Sequence, residues 1–308
     1  MKIIAVWLFI LTAIANAGDY VKEWADLKEK IGKDKLEAHL SDWRTREPEN
    51  PDAWIHSANF EFEQAGAVNI QHRGKGPLPE GNYELIEKDG KIVVTKNGKE
   101  VGEVGPGGYN PDAVRKAGGY LVEALKKWPH RVDIHCGLAT IYARGDLWKE
   151  HIATLESFGT AAREQAGKLR WCHNEELGSP EEEFVADKLH SFALRQFEQE
   201  TKEGDARLFA IAKIAIAACP KSAKGYNDAA IYHGLTKNWK AAQPMLEKAA
   251  AVAPDDTLVW MNLADNFVRL KDKAGARKAY QHVLDLNPPA ELRATARKKL
   301  AGLGKAAK

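Results

Sequence analysis

Five side chains in this 308-residue sequence are the ones best suited to chemistry: His130, His135, Cys136, Cys172 and His173. Imidazole nitrogens and thiolates are the donors zinc takes, and a set converging on one tetrahedral point would make a metal centre. His130, His135 and Cys136 lie close together in the chain, and Cys172 with His173 could approach them across a loop. The competing demand on His135 is structural. It follows Pro129 by six residues and shares helical spacing with Leu138, Ala139 and Tyr142, where a core side chain belongs. The structural demand is the stronger, so no metal and no cofactor is expected. A metal-dependent or other enzyme using His135, Cys136, Cys172 and His173 is the alternative.

Other chemistries find less support. The pieces "GKGPLPEG" and "GEVGPGG" lack the Gly and Lys spacing of a phosphate-cradling loop between a strand and a helix. Acidic runs such as "EEEF" and "EQETKEGD" fall on helix starts and polar faces, so they read as solvated charge and not as a paired-carboxylate site. No residue presents itself as catalytic, and no enzymatic activity is expected. With 45 basic and 43 acidic residues the formal charge is only +2, so no global field draws nucleic acid or an anionic membrane.

The first residues, "MKIIAVWLFILTAIANAGD", place one Lys before an apolar run that ends in Ala15-Asn16-Ala17. That layout predicts a cleaved secretory signal over residues 1–17, cut near Ala17. The run is too short to span a bilayer, where about 20 residues are needed, so no stable membrane insertion is expected after signal removal. The mature chain is expected to be periplasmic or extracellular. Its three cysteines, Cys136, Cys172 and Cys219, show no CxxC spacing and read mostly as small buried hydrophobes.

The elements that would position any site repeat. Pro220, Pro254 and Pro288 are spaced by 34 residues, and each closes an apolar helical pattern. Tyr226 and Trp260 stand six residues after the first two of them. Trp260, Leu263, Ala264 and Phe267 share one helical face, while Ala276, Tyr280 and Val283 share another. This pattern resembles the tetratricopeptide repeat, matched in order by Trp260, Leu263, Ala264, Phe267, Ala276, Tyr280, Val283 and Pro288. The preceding unit supplies Tyr226, Ala229, Ala230, Ala242, Leu246, Ala249 and Pro254 in the same places, with His233 where an aromatic is expected.

The resemblance is specific from about residue 184 to 303 and looser from 19 to 165. It implies an all-α, right-handed superhelical array of antiparallel helix pairs, an α-solenoid of about six pairs with a terminal capping helix. One segment breaks the period. The runs "YELIE", "KIVVT" and "EVGEV", separated by the turn signals Asp89-Gly90 and Asn97-Gly98, predict a three-stranded β meander inserted at about 70–110 between the two helices of one repeat. The expected organisation is residues 1–17 as signal, 18–165 as N-terminal repeats carrying the insertion, 166–183 as an irregular connection and 184–308 as C-terminal repeats with a cap.

In such arrays the first helices of successive pairs line a groove that binds peptides or partner helices. The residues on those helices not used for the expected packing are Asn59, Thr140, Arg144, Asn227, Asp228, Met261, Asn262, Asp265 and Arg269. Asn can donate to and accept from a peptide backbone at once. The expected partner is therefore another protein or a peptide. The Lys and Asn pairing by which some repeats hold a partner's terminal carboxylate is absent: the corresponding pairs are Asn227 with Ile231 and Met261 with Asp265.

Overall fold

The computed structural model describes residues 18–66, 70–72, 84–88, 91–96, 99–104 and 108–304. The expected signal segment and both turn dipeptides of the meander lie outside the described residues. Thirteen α-helices are described: α1 Gly18–Ile31, α2 Lys33–Arg46, α3 Pro51–Ala65, α4 Pro111–Lys127, α5 Val132–Arg144, α6 Trp148–Glu164, α7 Glu181–Phe197, α8 Lys202–Ala218, α9 Ala223–Leu235, α10 Trp239–Val252, α11 Thr257–Arg269, α12 Lys273–Asp285 and α13 Ala290–Gly302. They are six consecutive pairs and a cap. The chain forms two compact units, Met1–His151 and Ile152–Lys308, dividing within α6.

Local chemistry sets the helix starts. Asn-Pro-Asp occurs before both α3 and α4: Asn50 Oδ1 accepts from Asp52 N, and Asn110 Oδ1 accepts from Asp112 N and Ala113 N, with proline at the first helical position. Ser222, Asp256 and Asp272 cap α9, α11 and α12 in the same manner. The turn inside a pair is equally stereotyped. Leu147 N donates to Tyr142 O, Asn238 N to His233 O and Asp272 N to Phe267 O, the six-to-one bond of a Schellman motif. The residue before each donor, Asp146, Lys237 or Lys271, has φ between 56 and 63°, a left-handed conformation that glycine adopts more readily.

Four strands, not three, make the sheet. The meander of β2 (Glu84–Lys88), β3 (Lys91–Lys96) and β4 (Lys99–Val104) is antiparallel, and β1 (Ile70–His72) adds to its edge by pairing with β4. A three-residue strand carries too little pattern to be read from sequence. The insertion leaves and re-enters at one point. Gly66 bridges Tyr109, Asn110 N donates to Ala65 O at 2.9 Å, and the Phe62 and Tyr109 rings stack at 4.7 Å. Pinned ends let α3 and α4 pack together as though the sheet were not between them.

In the C-terminal unit the core is layered by repeat. Leu246, Ala249, Val259 and Leu263 form one cluster, and Ala264, Ala276, Tyr280, Val283 and Ala296 the next, with Trp260 and Phe267 packed against both. Those two aromatics join adjacent layers, as their spacing predicts. Gly225 permits a close approach of α8 to α9, since a Cβ there would meet the backbone N of Ile216 at 2.8 Å.

Candidate functional site

Most conspicuous side chains turn out to be engaged in holding the repeats together. Trp54 Nε1 donates to Pro48 O at 3.3 Å, His135 Nε2 to Pro129 O at 3.0 Å, Tyr226 Oη to Pro220 O at 3.3 Å and Trp260 Nε1 to Pro254 O at 2.7 Å. Each donor stands six residues after the proline whose carbonyl it satisfies. That carbonyl lies just past the end of the preceding helix, where no ladder bond reaches it, and a ring N–H or O–H from the next helix supplies its partner. The aromatic position is thus a donor position, which is why His can occupy it.

This bond settles the place of His135. The ring is 2% exposed, and burial pulls its pKa down to about 4, so it sits neutral with Nε2 donating. Cys136 and Cys172 are buried, and His173 lies in a short 3-10 turn with φ 53°. Among the described residues no three His, Cys, Asp or Glu are grouped so that they could hold a metal ion. Cys219 is buried too, and its thiol is pushed up to about 12 by burial, far from the thiolate that chemistry needs.

A cleft of about 210 Å³ opens in the C-terminal unit where α9, α10 and α11 meet. Ile231, Trp239 and Leu246 form apolar walls, and Asn227, Asn262 and Asn266 supply amides. Asn262 Nδ2 donates to Asn227 Oδ1 at 2.8 Å, which joins the first helices of two successive pairs. Asn266 is 3% exposed; its Nδ2 donates to Trp239 O at 3.1 Å and to Gln243 Oε1 at 2.7 Å, while its Oδ1 has no hydrogen-bond partner. The exposed Arg269 guanidinium lies 5.3 Å from the Trp239 ring centre. Asp265, also lining the cleft, accepts from Tyr280 Oη and pairs with Lys299 at 2.5 Å.

Of the nine residues expected on the groove, Asn227, Asn262, Asp265 and Arg269 line this one cleft. Three are packed inside instead. Thr140 is 4% exposed with its hydroxyl on Cys136 O, Met261 is 6% exposed in the last core cluster, and Asp228 is fully buried. Asn59 and Arg144 are half-buried on α3 and α5 of the N-terminal unit. Both Asp228 oxygens lie 2.9 Å from His190 Nδ1, tying α7 to α9. That bond to Asp228 raises the His190 pKa above the ordinary value, while burial raises Asp228 against the pull of His190. Sequence reasoning missed Trp239 and Asn266. Trp239 is the first residue of a second helix, a position the repeat pattern leaves open; Asn266 precedes the core position Phe267, and only the inward turn of its amide sets it apart.

No family model matches the chain, and no curated protein matches it. Solved structures similar to it include YrrB, described as a TPR protein with an unusual peptide-binding site (12% identity, 61% of this chain and 84% of that one, TM-score 0.36). A second is TTC0263, a thermophilic TPR protein of Thermus thermophilus (16%, 62% and 92%, TM-score 0.34). A third is the TPR2AB domain of yeast Sti1 in complex with pHSP90 (12%, 94% and 97%, TM-score 0.32). Likeness this distant says nothing about a ligand. Helix pairs at a 34-residue period, identical turns and the proline-carbonyl bonds carry the fold assignment instead. The fold is a tetratricopeptide-like array. No described helix is long and apolar enough to cross a membrane.

Proposed function

We propose that this protein is a non-catalytic scaffold of the cell envelope that binds another protein or a peptide through the cleft of its C-terminal unit. The supporting observation is a contrast in the last two full repeats: Tyr226 and Trp260 are bonded to proline carbonyls, whereas Asn227, Asn262 and Arg269 line a concavity. Amides supply both halves of a peptide hydrogen bond, and the apolar walls supply desolvation. The envelope location rests on the leader pattern of residues 1–17 and is tested by fractionating the native host and sequencing the mature N-terminus.

The binding role is tested by crosslinking in the host, followed by capture of the wild-type chain, Asn262→Ala and Arg269→Glu. The substitutions should reduce partner recovery while leaving helical circular dichroism unchanged. Full recovery by a folded Arg269→Glu protein would refute binding at this cleft.

A further inference from the structure

The edge beside the cleft combines exposed apolar side chains with exposed basic ones. Among the described residues, the exposed large hydrophobic side chains are Val122, Leu194, Phe197, Leu235, Leu258 and Val268. Four of these six sit in the last turns of α7, α9 and α11, where each first helix of a pair ends. Leu235 is 43% and Val268 41% exposed, and each adjoins a cleft-lining residue, Gly234 or Arg269. Exposed apolar side chains gathered at one edge mark a contact surface more often than scattered ones do.

Charge segregates to the same edge. Lys237, Lys240, Arg269, Lys271 and Lys273 are all exposed, and none joins an ion pair among the described residues. The single acid within 234–240 and 268–273 is Asp272, whose carboxylate caps α12 through Gly275 N. Asp265, the acid that lines the cleft itself, is taken up by Tyr280 Oη and Lys299, so the local excess stays basic. The Asn266 bond to Trp239 O and the contact of Arg269 with that ring hold the start of α10, next to Lys237 and Lys240 in the chain, against the end of α11, next to Lys271.

The cleft itself has room for a side chain. About 210 Å³ is the space of roughly seven waters at about 30 Å³ each. Gly234 helps keep it open: a Cβ there would press to 3.3 Å from Trp239 Cζ3. At the floor, the unpartnered Oδ1 of Asn266 is a buried acceptor that a ligand N–H reaching it would satisfy.

Resting on the binding role proposed above, we infer that the cleft takes an acidic peptide segment with one bulky apolar side chain, seated against Ile231, Trp239 and Leu246, its flanking carboxylates facing Arg269, Lys237 and Lys271. A concave, amide-floored cleft favours a peptide over a bilayer, whose surface cannot enter it. Neighbouring first helices lie about 10 Å apart, and an extended chain covers about 3.3 Å per residue. A segment of about six residues therefore passes from α9 to beyond α11.

The test uses the purified chain and an array of peptides of about twelve residues in which acidic content and a single central Leu or Phe are varied, with hits measured by fluorescence anisotropy. Acidic peptides bearing the apolar residue should be enriched and bind saturably. Replacing the acids by Lys, or the apolar residue by Ser, should each weaken binding by about tenfold or more, and added salt should weaken it further. Arg269→Glu with Lys271→Glu should abolish the acidic preference, and Ile231→Trp, which fills the cleft and leaves the charges intact, should independently reduce affinity; both are checked for folding by circular dichroism.

An array without acidic enrichment, or equal binding by folded variants, would overturn the inference. So would co-sedimentation with phosphatidylserine-rich vesicles that the charge variants abolish, in the absence of peptide binding. If native partner capture depends on Arg269 while acidic peptides are not enriched, the scaffold role stands and this ligand class falls.

Discussion

The two units bury charge in different ways. In the N-terminal unit Arg131 is fully buried and holds Asp133 through a bidentate pair, Nε to Oδ1 and Nη2 to Oδ2, both at 2.8 Å. The partners are two residues apart at the start of α5. In the C-terminal unit the buried carboxylate is Asp228, and its partner is His190 from another helix pair, 38 residues away. Guanidinium remains charged at every accessible pH, whereas imidazole titrates near neutrality. One pair is a fixed local clamp; the other is a link between repeats whose strength depends on pH.

The largest effect separating them should come from Asp133→Asn, which strands a buried guanidinium and should destabilise the protein by about 3–5 kcal/mol, read by chemical denaturation. A loss no greater than that of an exposed ion pair would show that the clamp is not desolvated. Next is acid sensitivity. Because burial lowers His135 to about 4, its neutral form is favoured in the fold; its contribution is present above about pH 6.5 and lost as the pH falls toward 4, on the order of 3 kcal/mol in total. His135→Gln, a neutral donor, should flatten that limb of the stability profile.

His190 has the opposite sign. Its folded pKa is raised, so its contribution is complete below about pH 6.5 and declines as the pH climbs through the higher folded value. Asp228→Asn keeps an acceptor but removes the charge. It should cost about 1–2 kcal/mol near pH 6 and return the His190 titration, followed by NMR, toward its ordinary value; an unmoved titration would show that the two groups are not coupled.

Smaller still is the proline-carbonyl bond. Trp260→Phe removes the 2.7 Å bond and should cost about 1 kcal/mol, while Tyr226→Phe, losing a longer bond, should cost about 0.5 kcal/mol. Equal losses would show that ring packing, not the donor, is what the position selects.

These contrasts also show what the sequence made legible. The helix pairs were readable because a 34-residue period repeats both the proline and the donor six residues on, and each copy confirms the others. Arg131 was not. A charged residue among charged neighbours at a helix start reads as solvated, and only the fold reveals that it is fully buried. On the candidate groove, Asn262 and Arg269 line the cleft because helical spacing turns them away from the core face. Thr140, Asp228 and Met261 are buried instead: His190 of the preceding pair covers Asp228, and Met261 packs in one cluster with α12 and the cap, contacts between helices that spacing within one helix does not contain. β1 escaped notice for want of length, and Trp239 because the repeat pattern leaves the first residue of a second helix open.

The claim at the centre of this account is a division of labour: Trp260 holds the array, and the quieter residues around Arg269 bind. Partner capture from the native host by wild type, Trp260→Phe and Arg269→Glu, measured with the melting temperature of each, tests it directly. Trp260→Phe should melt lower but capture its partner normally below the transition, and Arg269→Glu should melt like wild type and capture poorly. Loss of capture by a folded Trp260→Phe protein, with full capture by Arg269→Glu, would contradict it.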